Sequence, residues 1–487
     1  MYDILKQIYR IFQLMFTIHL SAGKVGVTFM CNLSVKELNV YNYRKFEQVS
    51  YQLNPRMNVF AGKNGSGKTA LLEAVNVVLG AYLAAFKTYV PSRFVYNISK
   101  DDAHLKVQTA EDSAVMTTGG IRQFPCRVSC SMLWGQSEEP IRFQRVLPKE
   151  DGRTKFDGPN PMQPTVVSWE KMIAQANHED KELVFPIVLY LSSARLWNET
   201  KSVSYEAGVF GRTDAYYRCL DGKHGTELAF GYINMLQSVA VEENEGKPYP
   251  AYDAILNAIN YALHDELRAN ERVIFSTRYG KDIVALKNNE GIVVPFTTLS
   301  DGYRNVIKIV LDIATRMCIL NPYLQGEALQ KTPGVVIIDE IDLSLHPTWQ
   351  RRIIGILKTL FPRIQFICAT HSPFIIQSLE DGELITLDRE EKPLAEEYAG
   401  ESIEDIAEDI MGVEMPQYSE KKKNMFDAAM NFFTALKSCA SHERIEALRR
   451  EMAVMEAEYS DNPAYLALIR QEFAAKKLEV EQNETNQ

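Results

Sequence analysis

Eight consecutive residues, Gly62-Lys63-Asn64-Gly65-Ser66-Gly67-Lys68-Thr69, follow the spacing G-x-x-x-x-G-K-[ST], and their types suit the holding of a polyphosphate. Glycines let successive backbone N–H groups curl around a β-phosphate, Lys68 can reach the β and γ oxygens, and the Thr69 hydroxyl can hold Mg²⁺. A second set closes an apolar run: Val335-Val336-Ile337-Ile338 leads into Asp339-Glu340. After a phosphate loop, the first acid suits a metal and the second suits a base that polarises water. A third set, Leu299-Ser300-Asp301-Gly302-Tyr303-Arg304, offers a hydroxyl and free amides at a helix start, although Ser-Asp-Gly is also a common turn and N-cap. The fourth, Thr370-His371-Ser372-Pro373, puts an imidazole directly after a buried strand, where a lone histidine is usually structural.

These residues need elements to hold them. Residues 33 to 61 alternate as three short strands, with Asn54-Pro55 as the turn before the third, and 69 to 86 have helical spacing starting at the glycine loop. A β hairpin or meander is expected over 124 to 147, and a polar, Gly/Pro-rich surface insert over 149 to 181. A buried strand follows at 183 to 193, helical sequence at 226 to 268, and strands around RVIFSTRYG and DIVALKNNEGIVVPF. A helix from Gly302 to Leu320, a strand over 334 to 340, a helix over 347 to 360 and a strand ending at Thr370 complete the pattern. Apolar β-branched runs separated by helices indicate an α/β fold with a mixed or parallel sheet covered on both faces.

Composition sets the limits. The chain has 487 residues, 46% hydrophobic and 24% charged, with 53 basic and 63 acidic side chains and a net charge of −10. That profile excludes a disordered chain or small disulfide scaffold, and it leaves DNA only a local patch. The seven cysteines are odd in number and scattered, which suits a reducing, cytoplasmic setting; Cys126 and Cys130 lack a second zinc-spaced pair. Residues 1–29 superficially resemble a signal peptide, but Gln13 and His19 interrupt the apolar run, so an added amphipathic helix or an upstream start is expected, with no membrane span.

In this order, the four motifs resemble the ABC-class ATPase head of the RecF, SMC and OLD type, over roughly residues 30 to 390. The Asn64 form of the loop, Asn42-Tyr43-Arg44 after the first strand, and the spacing from Asp339-Glu340 to His371 agree with that family. The resemblance implies a P-loop NTPase using ATP and Mg²⁺. Gly62 through Thr69 and Ala70 would bind nucleotide as Walker A, Thr69 and Asp339 the metal, and Glu340 and His371 would act in catalysis. Ser300, Asp301 and Gly302 would close on the nucleotide of a second copy, so the chain would work as a homodimer or higher oligomer. Arg44 matches the family's basic residue near the nucleotide. Gln123 and Gln136 are both candidates for the Q-loop glutamine. Arg195 either faces the nucleotide or is an ordinary strand-end arginine.

Between Thr69 and Leu299 no heptads support long coiled-coil arms, and no Toprim-like acid set follows His371. LSDGYR, LNPYL, VVIIDEIDLSLHPTWQRR, FPRIQFICATHSP and EDIMGV resemble the coil-less ATPase subunit of Septu and retron-linked antiphage systems. That resemblance implies a separate HNH nuclease as partner, regulated through the ATPase. The expected domains are an extension (1–29), a head lobe with Walker A (30–148), an inserted middle region (149–295), a second head lobe (296–390) and a C-terminal helical accessory domain (391–487). Two other functions fit the same motifs: a RecF-like DNA repair ATPase, and a nucleotide-gated scaffold with little hydrolysis.

Overall fold

The computed structural model describes residues 29–30, 32–106, 120–175, 183–196, 210–222, 226–243, 246–265, 267, 271–275, 284–288, 290–387, 398 and 400–413. Further along it describes 416, 423–424, 428, 431–432, 434–435, 438 and 441–458. The expected N-terminal extension up to residue 28 lies outside the described residues. Residues 1–401 and 402–487 form two compact units.

In the first unit the chain runs through β1 (Asn32–Tyr43), β2 (Phe46–Gln52), β3 (Met57–Ala61), α1 (Lys68–Leu83), β4 (Cys126–Gly135) and β5 (Ile141–Leu147). Then come α2 (Gln163–Ala174), β6 (Ile187–Leu191), α3 (Glu227–Glu243), α4 (Pro250–Leu263) and the strands β7 (Arg272–Phe275), β8 (Val284–Lys287) and β9 (Val293–Pro295). α5 (Asp301–Leu320), β10 (Gly334–Ile338), α6 (Ile353–Leu360), β11 (Ile364–Ala369) and β12 (Leu384–Thr386) complete it.

The central sheet is parallel throughout, in the order β6-β10-β11-β3-β12. Every residue of β3, β6, β10 and β11 is buried, as expected for apolar strands covered on both faces. Their order places the strand that ends at Ala369 between the strand feeding the glycine loop and the strand feeding the two acids, so all three motifs emerge at the carboxyl edge. That edge is where ligands of open α/β sheets bind. An antiparallel sheet, β2-β1-β4-β5 plus the two-residue strand Lys155–Phe156, lies against it. Gln365 of β11 joins the two: its amide accepts from Val35 N (2.8 Å) and donates to Val35 O and Asn54 O (2.8 Å each), next to a bulge between Val35 and Glu37. A buried amide so placed pairs the Val35 N–H and the Val35 and Asn54 carbonyls beside the bulge.

α5 is buried along nearly its whole length, and its Arg316 pairs with Asp312 at 2.8 Å. The stretch read as an inserted middle region contributes β6 to the central sheet. The polar insert differs from expectation. Its residues 163–174 form a docked helix whose Trp169 stacks near Trp134 and Phe185, with ring centroids 5.4 and 5.2 Å apart. The Glu170 carboxylate accepts from the backbone N–H groups of Lys87, Thr88 and Tyr89. One aromatic anchor and one buried acid hold a segment whose other residues read as loop. The expected helix over 347–360 is split into Pro347–Gln350 and α6.

The second unit contains a helix at Ile403–Asp409, opened by a Ser402/Asp405 capping box, and a helix at His442–Glu458. Phe432, Ala435 and Leu448 form its small apolar cluster. Among the described residues no helix is long and apolar enough to cross a membrane.

Candidate nucleotide site

β3 delivers the chain into the loop Gly62–Gly67, and α1 begins at Lys68. Gly67 has φ of 102°, and a Cβ there would stand 2.6 Å from the Phe46 ring, so a side chain is excluded both by strain and by contact. The Lys68 ammonium curls over the loop, donating to Gly62 O (2.8 Å), Lys63 O (3.0 Å) and Ser66 Oγ (3.4 Å). Lys63, Asn64 and Gly65 are exposed at its rim, while Ala70 is buried under it. A glycine-rich loop at a helix start, with a lysine folded across it, is a fitting cradle for phosphate.

The acid pair faces this loop. Thr69 Oγ1 donates to Asp339 Oδ2 at 3.2 Å, bringing the hydroxyl and carboxylate close enough to share a cation. Burial pushes the Asp339 carboxyl up to about 6; Glu340 adds repulsion, and the Thr69 hydrogen bond works in the opposite direction. Glu340 follows in the left-handed region at φ 46°. His371 lies at the end of β11, where its backbone N–H donates to Asp342 Oδ1 at 3.2 Å, and Thr370 Oγ1 donates to the same oxygen at 2.6 Å. Burial and the Lys68 charge hold the His371 imidazole below its usual range, so it is neutral at pH 7. The structure therefore brings Walker A, Asp339, Glu340 and His371 to one edge.

Other candidates fall elsewhere. Ser300 is the N-cap of α5, exposed, with no capping hydrogen bond from its side chain. Asp301 pairs with Arg304, a Cβ on Gly302 would meet Ser344 O at 3.0 Å, and Tyr303 meets Trp349 edge-on at 5.0 Å. Those contacts set the serine turn against the segment that follows the acids. Arg44 is engaged by Glu73 and by Asp102, the latter at 2.9 Å. Its neighbour Lys45 instead reaches Gly65 O at 3.2 Å. Gln123 folds back onto Ile121 O, and Gln136 is exposed after β4. Arg195 grips backbone carbonyls of the acid pair, Asp339 O at 2.5 Å and Glu340 O at 2.7 Å. Lys45, Asp342 and Asn305, which bonds Arg195, carry no sequence signal beyond adjacency to a motif.

Two family models described as an AAA domain match residues 37–239 and 194–377; the second description also names the AbiEii toxin and a type IV TA system. The "Retron Ec83 probable ATPase" of Escherichia coli is 40% identical over 428 residues, covering 74% of this chain and 72% of that protein. The "Retron Vc95 probable ATPase" of Vibrio cholerae is 42% identical over 103 residues, 21% of this chain and 19% of that protein. "Septu protein PtuA" of Bacillus thuringiensis is 31% identical over 150 residues, 28% of this chain and 37% of that protein. The matches thus span less than two fifths of the Vc95 and PtuA proteins and nearly three quarters of the Ec83 protein. With a glycine loop, acid pair and histidine at one sheet edge, the chain belongs to the family of the retron probable ATPases with AAA domains, and over shorter stretches it is similar to Septu PtuA and RecF proteins.

Proposed function

We propose that this chain binds and hydrolyses ATP, that two copies close on each other's nucleotide, and that the closed state governs an HNH nuclease in antiphage defence. The observation that carries the catalytic part is the meeting of Thr69 and Asp339 at 3.2 Å beside Lys68. Lys68 would neutralise the β and γ oxygens, and Thr69 and Asp339 would hold Mg²⁺, which when bound offsets phosphate charge. Glu340 would accept the proton of the attacking water, and the neutral His371 would contribute a hydrogen bond to the γ-phosphate. Ser300, exposed at a helix N-terminus, would serve the partner copy's nucleotide. The nuclease partner is supported by kinship with the Septu and retron ATPases.

The test combines gel filtration with and without ATP and co-expression with the neighbouring gene. ATP-dependent assembly, lost in Lys68→Ala, with a nuclease copurifying and phage resistance abolished by the same substitution, is the expected result. Phage resistance that survives Lys68→Ala would sink the defence reading.

A further inference from the structure

We propose that Arg195 is a positioning residue for hydrolysis: it clamps the turn that aims Glu340 and, through Asn305, ties that turn to the helix bearing Ser300. The inference rests on the assignment of Glu340 as the base. In an extended strand successive carbonyls point to opposite sides, so one group cannot take two neighbours. At the end of β10 the left-handed turn at Glu340, φ 46°, swings the carbonyls of Asp339 and Glu340 toward the same guanidinium. Arg195 Nη1 donates to Asp339 O at 2.5 Å and Nη2 to Glu340 O at 2.7 Å, a planar fork that lysine does not possess. Nη1 also reaches Ser192 O at 3.1 Å, which fixes the guanidinium to its own segment at the end of β6.

The third edge of the guanidinium faces α5. Nε donates to Asn305 Oδ1 at 2.8 Å, and Asn305 Nδ2 donates to Leu343 O at 2.6 Å, in the segment after the acids. Lys308, also on α5, donates to Arg195 O at 3.3 Å. Arg195 and Asn305 are both buried, so neither is placed to touch nucleotide directly. A displacement of α5, whose first residue follows Ser300, would move Asn305, then Arg195, then the backbone that directs the Glu340 carboxylate. Closure on a second copy at Ser300 would thereby be felt at the base.

The experiment compares Arg195→Lys and Asn305→Ala in the full chain, each alone and in a Glu340→Gln background, measuring ATP affinity and turnover. Arg195→Lys is expected to keep ATP affinity within about twofold while turnover falls at least about tenfold, since aim and not binding is lost. Asn305→Ala should lower turnover in the same sense. In the Glu340→Gln background both substitutions should change the residual rate by less than about twofold, because a residue acting through Glu340 has nothing left to position. Normal turnover in both single variants, equal losses in both backgrounds, parallel loss of affinity and turnover, or failure of both variants to fold would overturn the assignment. Wild-type turnover unaffected by Glu340→Gln would instead remove Glu340 as the base, and this inference with it.

Discussion

The Thr69 hydroxyl donates to the Asp339 carboxylate although 270 residues separate them in the chain. The bond joins the start of α1 to the end of β10, with β11 lying between β10 and β3. The glycine loop and the acid pair are thus fastened across one intervening strand, and the chain just beyond the end of that strand supplies His371.

Lys68 and Glu340 should separate binding from chemistry. Lys68→Ala removes the ammonium folded over the loop and is expected to abolish ATP binding, measured by equilibrium dialysis. Glu340→Gln should retain binding, lower turnover by about 10²–10⁴-fold, and enrich ATP-bound oligomers on gel filtration. Unchanged turnover would take Glu340 out of the base role.

Asp339 should cost the nucleotide-free protein stability at neutral pH. Its carboxyl is raised from an ordinary 3.8 to about 6, so the folded state holds its proton over that window while the unfolded state has released it. Stability from this group is therefore present below pH 4 and lost as pH rises through 6. Asp339→Asn, melted in EDTA, should be stabilised by about 3 kcal/mol at pH 8 and by almost nothing at pH 4. An equal gain at both pH values would count against burial of the charge as the cause.

Two glycines of the loop should respond differently to alanine. Both Gly65 (φ 75°) and Gly67 (φ 102°) lie in the left-handed region, but a Cβ on Gly65 meets nothing within 4 Å whereas one on Gly67 meets Phe46. Gly65→Ala should cost only the conformational strain, about 1 kcal/mol. Gly67→Ala should cost clearly more in thermal melts and displace Phe46. A comparable loss at both sites would contradict the packing argument.

Arg44 and Lys45 should also behave differently. Arg44 neutralises the half-buried Glu73, whose carboxyl burial pushes upward, and bonds Asp102 as well. Arg44→Ala leaves those acids without that partner and should destabilise the fold by about 1–3 kcal/mol. Lys45→Ala should leave the melting temperature nearly unchanged and weaken ATP binding, because its ammonium stands beside the loop at Gly65. If Arg44→Ala weakened ATP binding without a change in melting, the family's usual assignment of the arginine would stand.

The sequence made the local parts of this site legible and the long-range ones much less so. Gly62–Thr69, Asp339-Glu340 and His371 each sit where a strand meets a turn, so residue type, spacing and strand pattern coincide within a few positions. Arg195 could be recognised only as an arginine at a strand end. Its partners come from β10 and from Asn305, more than a hundred residues away, and no periodicity encodes them. Arg44 is similar: its family position is visible locally, but Glu73 and Asp102 appear beside it only in the folded chain. The helix Gln163–Ala174 read as surface loop because its flanks are polar and its anchor is a single tryptophan.

The strand order has a consequence for synthesis. β3, which carries the phosphate loop, is hydrogen-bonded on one side to residues 366–369 and on the other to residues 384–386. While the chain is still emerging from the ribosome, the loop is made early, but both of its flanking strands come from the far end of the first unit. Closing such distant pairings costs chain entropy before any contact rewards it. The nascent protein therefore carries its phosphate-binding segment unbraced until the last strand of the head has been released.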